Sequence, residues 1–260
     1  MGCLLASVPT LHKDDHMAAA PRSLSLLALL GAGALLFAGC ATVTPASEGV
    51  SESPAATEME IEAGWLDGGR QIALVTWGSS GCIPTASGAT LQADGSVAVS
   101  LDNGPADQVC TADYAPRVTL VGVPEGVDPT QTVGLVVTDN AGGRGETDLG
   151  GVPGLAAGGA TDYAPSAGWV DAELIALLAW GSSTCAPRVE SVETSDRSHL
   201  DVTFVTPPAD QACTMDMAPR ALLVSVGDLD VLDPSAGALT LTLTGGDAQF
   251  ETPVEVAVVG

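Results

Sequence analysis

From residue 63 onward the apolar positions fall in short, β-branched runs separated by Gly, Pro, Asp and Asn, the punctuation of strands and turns rather than of helices. Residues 239–244, LTLTLT, alternate apolar and polar side chains with the period of a half-buried strand. Similar patterns predict strands at 89–93, 96–101, 117–123 and 132–138, with Asp94-Gly95 as a two-residue hairpin turn, and at 188–194, 199–205, 220–226, 238–244 and 252–258. One stretch is ambiguous. Residues 171–180, DAELIALLAW, are apolar enough to pass for a helix, but their counterpart DGGRQIALVTW (67–77) carries Gly68-Gly69 and β-branched residues that disfavour one, so both are read as strands.

That counterpart exists because the pattern repeats. PADQVCTADYAPR (105–117) returns as PADQACTMDMAPR (208–220), identical at 10 of 13 positions, and WGSSGCIP (77–84) returns as WGSSTCAP (180–187). Both pairs are offset by 103 residues, 77 to 180 and 105 to 208, while AGWLD (63–67) and AGWVD (167–171) are offset by 104. Three blocks in one order and nearly one register mark a duplication. The predicted fold class is therefore all-β, with two tandem β-sandwich-like domains, each with one internal disulfide. The expected division is a signal segment over 1–39, a polar tether over 40–62, a first repeat over 63–140, a Gly-rich linker over 141–165 and a second repeat over 166–260. An immunoglobulin arrangement places the core tryptophan between the two cysteines, whereas Trp77 and Trp180 each precede the first cysteine of their repeat, so the topology stays open.

Composition narrows the function classes. Charged residues make up 15% of the chain and aromatics 3%, and 32 acidic against 8 basic residues leave a formal charge of −24. Such a surface repels phosphate backbones and anionic lipid headgroups, which argues against nucleic-acid binding and electrostatic membrane docking and leaves cations and basic partners allowed.

The amino-terminal quarter has a different pattern. From Met17, which fits the true start better than Met1 because residues 1–16 match no targeting pattern, one positive charge at Arg22 precedes an apolar stretch from Leu24 to Ala38. Spanning a bilayer takes about 20 helical residues, so this run is short for a membrane helix and fits the core of an export signal. It ends in Phe37-Ala38-Gly39-Cys40, which resembles the lipobox of bacterial lipoproteins, with Phe37 where Leu is usual. The resemblance implies that the Cys40 thiol is acylated with diacylglycerol, that the chain is cut before it, and that the protein is lipid-anchored at the outer face of the cytoplasmic membrane. The polar stretch after Cys40, rich in Ser, Thr, Pro and Glu, reads as a flexible tether. Lipobox and WGSSxC block together make the mature part similar to uncharacterised envelope lipoproteins of high-GC Gram-positive bacteria, a resemblance that implies a location and no activity.

Apart from Cys3 and Cys40 the chain has Cys82, Cys110, Cys185 and Cys213. Four cysteines allow three pairings, and the repeat selects Cys82–Cys110 and Cys185–Cys213, since each copy then carries its own pair. Export favours their oxidation. A disulfide brings its Cα atoms to within about 6 Å, so it would gather Trp77, Ser79, Ser80, Asp107, Gln108, Thr111, Asp113 and Arg117 at one end of the first repeat. Trp180, Ser182, Ser183, Asp210, Gln211, Thr214, Asp216 and Arg220 would gather at the same end of the second. These residues suit either a small polar pocket with an aromatic wall, fit for a sugar, a peptide or a cell-wall fragment, or a structural network in which Trp packs on the disulfide and Asp pairs with Arg.

The candidates for chemistry are sparse. The one histidine after Cys40, His199, aligns with Ser96 in the other copy, which gives a Ser-His-Asp hydrolase little support. Asp228, Asp230 and Asp233 suggest a calcium loop, but the EF-hand pattern fails at Leu232. The cysteines have neither CxxC nor zinc-ligand spacing, and no cofactor is implied. The expectation is a non-enzymatic envelope lipoprotein that binds a ligand or a partner protein or serves structurally, with an Asp-based hydrolase and a divalent-cation binder as alternatives.

Overall fold

The computed structural model describes residues 56–227, 229, 238–246 and 248–260. The export segment, Cys40, most of the tether and Asp228, Asp230 and Asp233 lie outside the described residues. The described chain is all-β, with fifteen strands. The first repeat holds β1 (Thr57–Glu58), β2 (Ile61–Leu66), β3 (Gln71–Gly78), β4 (Thr85–Leu91), β5 (Val97–Asp102), β6 (Ala115–Gly122), β7 (Val133–Asp139) and β8 (Gly143–Leu149). The second holds β9 (Ser166–Trp169), β10 (Leu174–Gly181), β11 (Val189–Asp196), β12 (His199–Phe204), β13 (Ala218–Ser225), β14 (Thr240–Gly245) and β15 (Val254–Val259).

In the first repeat a five-stranded sheet, β1-β8-β7-β5-β4, faces a three-stranded one, β2-β3-β6. Alternate residues of β5 and β7 (Val97, Val99, Leu101; Val133, Leu135, Val137) turn inward to meet Ile72 and Leu74 of β3 and the buried ring of Trp65. The second repeat has the same strand neighbours, with one difference: β15 pairs in parallel with β9, so its two halves join into a single seven-stranded sheet. In the first repeat β8 instead takes β1 as its parallel neighbour before the chain moves on to pair β2 with β3.

The continuous apolar runs now have a physical reason. On β3, Ile72 and Leu74 enter the core of the first repeat, while Ala73, Val75 and Trp77 enter or pack against a separate cluster. On β10, Ile175, Leu177 and Ala179 face the second core, and Leu174, Ala176, Leu178 and Trp180 join that same separate cluster. It lies between the repeats, so both strands are buried on both faces and lose the alternation of a half-buried strand. The repeated AGW block closes this interface. A Cβ on Gly64 would lie 2.5 Å from the Trp169 carbonyl oxygen, and one on Gly168 would lie 2.2 Å from that of Trp65. The contact is reciprocal, as in an isologous dimer, here within one chain.

Three boundaries differ from the sequence reading. Residues 143–149 fall inside the expected linker but form β8, paired antiparallel with β7. Their glycines look like flexibility in sequence, yet Gly145 is buried, and a Cβ there would lie 2.6 Å from the Met59 carbonyl oxygen. The glycine spacing admits the chain crossing over β8. The end of the expected tether, 57–62, is likewise in β1 and the start of β2. The Asp94-Gly95 turn is a three-residue loop, Ala93 to Gly95: Gln92 N–H donates to Ser96 O (2.7 Å), Gly95 N–H donates to Gln92 O (3.0 Å), and Gly95 sits at φ +88°.

What remains of the linker, 150–165, is docked on the first repeat. Trp65 Nε1–H donates to Gly150 O (2.7 Å), Ala156 N–H to Gly68 O (2.8 Å) and Thr161 Oγ1–H to Asp67 Oδ1 (3.0 Å). Asp67, 4% exposed, also holds Arg70 at 2.9 Å.

Gly64→Ala and Gly168→Ala should each lower stability by about 2 kcal/mol, because the added methyl has only backbone to push against. Gly88→Ala, where nothing lies within 4 Å of the added carbon, should leave it unchanged. Urea unfolding of the three variants measures this, and equal midpoints for all three would refute the close contact as a constraint.

Candidate functional site

Each repeated polar block lies at the end where β3 runs into β6, or β10 into β13. Trp77 is paired with Pro116 and Gly78 with Ala115, and likewise Trp180 with Pro219 and Gly181 with Ala218. Beyond those rungs two loops leave the sheet and are joined by Cys82–Cys110 in one repeat and Cys185–Cys213 in the other, each with Cα atoms 5.6 Å apart.

Most of the repeated side chains are consumed in holding these loops. In the first repeat Ser79 Oγ and Thr111 Oγ1 share a hydrogen bond (2.7 Å), Gly81 N–H donates to Thr111 Oγ1 (3.1 Å), and Ser80 N–H donates to Asp113 Oδ1 (3.2 Å). Thr111 also donates to Asp113. In the second, Ser182 and Thr214 hydroxyls meet at 2.8 Å, Ser183 N–H donates to Asp216 Oδ1 (3.0 Å), and Thr214 donates to Asp216. Gln108 Nε2 points at Cys82 Sγ (3.0 Å) and Gln211 Nε2 at Cys185 Sγ (3.2 Å), each from a PADQ turn closed by a backbone bond from Gln to Pro.

Arg117 and Arg220 stitch the strand ends to the loops. Arg117 donates to Cys82 O (2.8 Å), Trp77 O (3.2 Å) and Thr76 Oγ1 (3.2 Å), and Arg220 to Cys185 O (2.7 Å), Trp180 O (2.8 Å) and Gln249 Oε1 (3.1 Å). The WG glycines make room for them: a Cβ on Gly78 would lie 2.7 Å from the Arg117 Cζ, and one on Gly181 2.5 Å from an Arg220 terminal nitrogen. The expected pairing of Asp113 with Arg117 and of Asp216 with Arg220 is not among the ion pairs of the described residues. Asp113 and Asp216 serve the Ser-Ser backbone, and the arginines serve carbonyls.

Trp180 differs from the expected packing on its disulfide. Trp180 is 7% exposed within the inter-repeat cluster, with Tyr163 of the linker edge-on to it at 5.1 Å. Trp77 is half-buried and packs against the same cluster. Asp107 and Asp210 are exposed and have no hydrogen-bond partner among the described residues.

A cleft of about 280 Å³ lies at the loop end of the first repeat. Of the expected residues it brings together Trp77, Ser79 and Arg117 with the disulfide, while Ser80, Asp107, Gln108 and Asp113 stay outside its lining. It adds Met59, Leu101, Asn103 and Asp139. These are remote from the cysteines in sequence; the parallel pairing of Leu101 with Asp139 carries them to this end. In the second repeat a different cleft, about 220 Å³, lies against the disulfide; it is lined by Gln211, Arg188 and Phe250 and by none of Trp180, Ser182, Ser183, Asp210, Asp216 or Arg220.

No protein-family profile, curated protein sequence or solved structure matches this chain. The site has to be read from its own geometry.

The grouping nearest to a catalytic set is Asp196, Ser198 and His199 in the β11–β12 turn. Asp196 Oδ1 and Ser198 Oγ both meet His199 Nδ1, at 3.0 and 3.1 Å. A relay needs them on opposite ring nitrogens, so the arrangement ties the turn rather than activating the serine. Among the described residues no three His, Cys, Asp or Glu side chains are placed to share a metal ion.

Hydrogen bonds from Ser80 and Thr111 hold Asp113 down to about 2, and those from Thr214 and Ser183 hold Asp216 down to about 2. Both folded values lie below the ordinary 3.8, so the stabilisation is present above that pH and is lost as pH falls toward 2. Carboxyl-carbon NMR titration should give midpoints near 2 for both, and a midpoint near 3.8 for either would remove that carboxylate from the loop network.

Proposed function

We propose that the chain is an exported lipoprotein, anchored through Cys40 at the outer face of the cytoplasmic membrane, whose paired repeats present the stapled loops for non-catalytic recognition of an envelope ligand or protein. The observation that carries the recognition role is a contrast within the loops. Most of their repeated polar groups, Asp107 and Asp210 apart, are spent internally on fixing the backbone, while apolar side chains point outward: Val109 is 95% exposed, Tyr114 73% and Met217 59%, and Met215 is fully exposed. Ordinary solubility would favour polar residues at such tips. A covalently and hydrogen-bond-pinned loop loses little entropy on binding, which is the advantage of a preorganised recognition surface. The two disulfides suit an oxidising compartment outside the cytoplasm. The charge of −24 favours a neutral or basic partner over an anionic one.

Anchoring and recognition are tested separately. Cys40→Ala should move the protein from the membrane fraction to the aqueous phase, and continued partitioning into detergent would refute lipidation at that position. For recognition, a photoreactive residue at Tyr114 or Met217 in intact cells should yield discrete adducts that are missing when it replaces Gln92 on the distant hairpin. Identical adduct patterns from all three positions would sink the loop assignment.

A further inference from the structure

The cleft of the first repeat holds a charge that the loop network leaves unbalanced. Arg117 is half-buried, and among the described residues no carboxylate lies within ion-pair distance of it. Three of its guanidinium N–H groups reach protein acceptors, two from Nη2 and one from Nη1. A guanidinium has five, so one Nη1–H and the shielded Nε–H are left over. Asp139 lines the same cleft with the complementary shortfall. Its Oδ1 accepts from Ala141 N–H (2.9 Å) and Gly143 N–H (2.6 Å), and its Oδ2 accepts only from Asn103 Nδ2 (2.7 Å). A carboxylate oxygen has two lone-pair directions, so Oδ2 keeps one.

The second repeat shows how the duplicated position looks when it is closed. There the arginine has a side-chain acceptor from the β14–β15 loop, Gln249, and the next residue, Phe250, is buried against Phe204 with ring centroids 4.8 Å apart. In the first repeat the β7–β8 connection is a tight turn, Asn140 to Gly142, with nothing to insert, and the cleft is walled instead by Met59, Leu101 and the half-buried ring of Trp77.

We propose that this first-repeat cleft binds a small zwitterion with a free amine and a free carboxylate, a free amino acid or short unblocked peptide, its carboxylate on Arg117, its ammonium on Asp139 and its side chain against Trp77 and Met59. A volume of about 280 Å³ suits a ligand of one or two residues rather than a longer chain. Net charge favours the same class: a chain at −24 repels a net anion, and Arg117 repels a net cation, whereas a zwitterion meets neither penalty. This site is distinct from the exposed loop tips and goes beyond the recognition role assigned to them.

The test is a titration of the full mature chain in detergent micelles with alanine and alanyl-alanine, following the Trp77 indole N–H and the Arg117 Nε–H by NMR. A saturating shift confined to the first repeat is expected for at least one of the two, with binding about tenfold weaker for N-acetyl-alanyl-alanine and for alanyl-alanine amide, each of which deletes one charge-assisted hydrogen bond. Asp139→Asn should abolish the distinction between the free and the acetylated dipeptide. Because Asp139 also holds its turn, Met59→Phe is the second variant; it should fill the cleft and remove binding with the melting temperature unchanged. No shift up to about 10 mM of either ligand, a Kd range in which even weak charge pairing registers, would overturn the proposal, as would equal shifts from the blocked dipeptides or undiminished binding by Met59→Phe. Tyr114 and Met217 do not line this cleft, so a negative titration leaves the loop-recognition reading standing, and failure of the crosslinking leaves this one standing.

Discussion

The reciprocal contact of β2 with β9, each AGW glycine against the carbonyl of the other repeat's tryptophan, is the constraint on which the rest depends. Two backbones approach that closely only where neither carries a side chain, and the approach brings β3 and β10 near enough for Ala73, Val75, Ala176 and Leu178 to fill one dry layer. That layer makes the second face of each strand apolar. It also makes the two repeats a single compact unit rather than beads on a string, a conclusion supported by the linker, whose carbonyls and hydroxyls are committed to Trp65 and Asp67 of the first repeat.

Holding the sheets this way settles where the variable chemistry can sit. The faces of β3 and β10 are spent on packing, so what is left to differ between copies is the loop end, where the disulfides, the serine-threonine-aspartate network and the arginine act as a scaffold common to both. On that scaffold the first copy carries Val109 and Tyr114, and the second Met215 and Met217. The same scaffold is open beside Arg117 and closed beside Arg220. Both differences are compatible with one scaffold, since substitutions that touch neither the staple nor the glycine contact cost little stability.

Much of the fold was legible in the sequence because repetition supplied a second, independent copy of each pattern. The two Cys pairs follow from equal spacing, and the strand reading of 171–180 follows from its counterpart, although the physical cause, burial on both faces, is a tertiary fact that neither copy states alone. In sequence Gly145 falls in a Gly-rich linker and the AGW block marks only the repeat, because a glycine required by close approach and a glycine tolerated in a loop are the same letter. The candidate site was half legible. Disulfide proximity gathers residues adjacent to the cysteines, and so it finds Trp77, Ser79 and Arg117 but not Asp139, whose position depends on the parallel β5–β7 ladder.

The roles of the repeated polar residues also separate once their partners are known. A residue kept in both copies with the same partner, such as Asp113 and Asp216 on the Ser-Ser backbone, is explained by the scaffold and needs no ligand. A residue kept in both copies with different partners is not. Arg117 and Arg220 make the same bonds to the cysteine and tryptophan carbonyls, then diverge: one takes Gln249, the other only the Thr76 hydroxyl. Arg117 is a half-buried cation with no carboxylate within ion-pair distance among the described residues, in a chain where acidic residues outnumber basic ones 32 to 8. Arg117 and Asp139 line one cleft without forming an ion pair among the described residues, and that pair of charges is what the proposed zwitterion site would use.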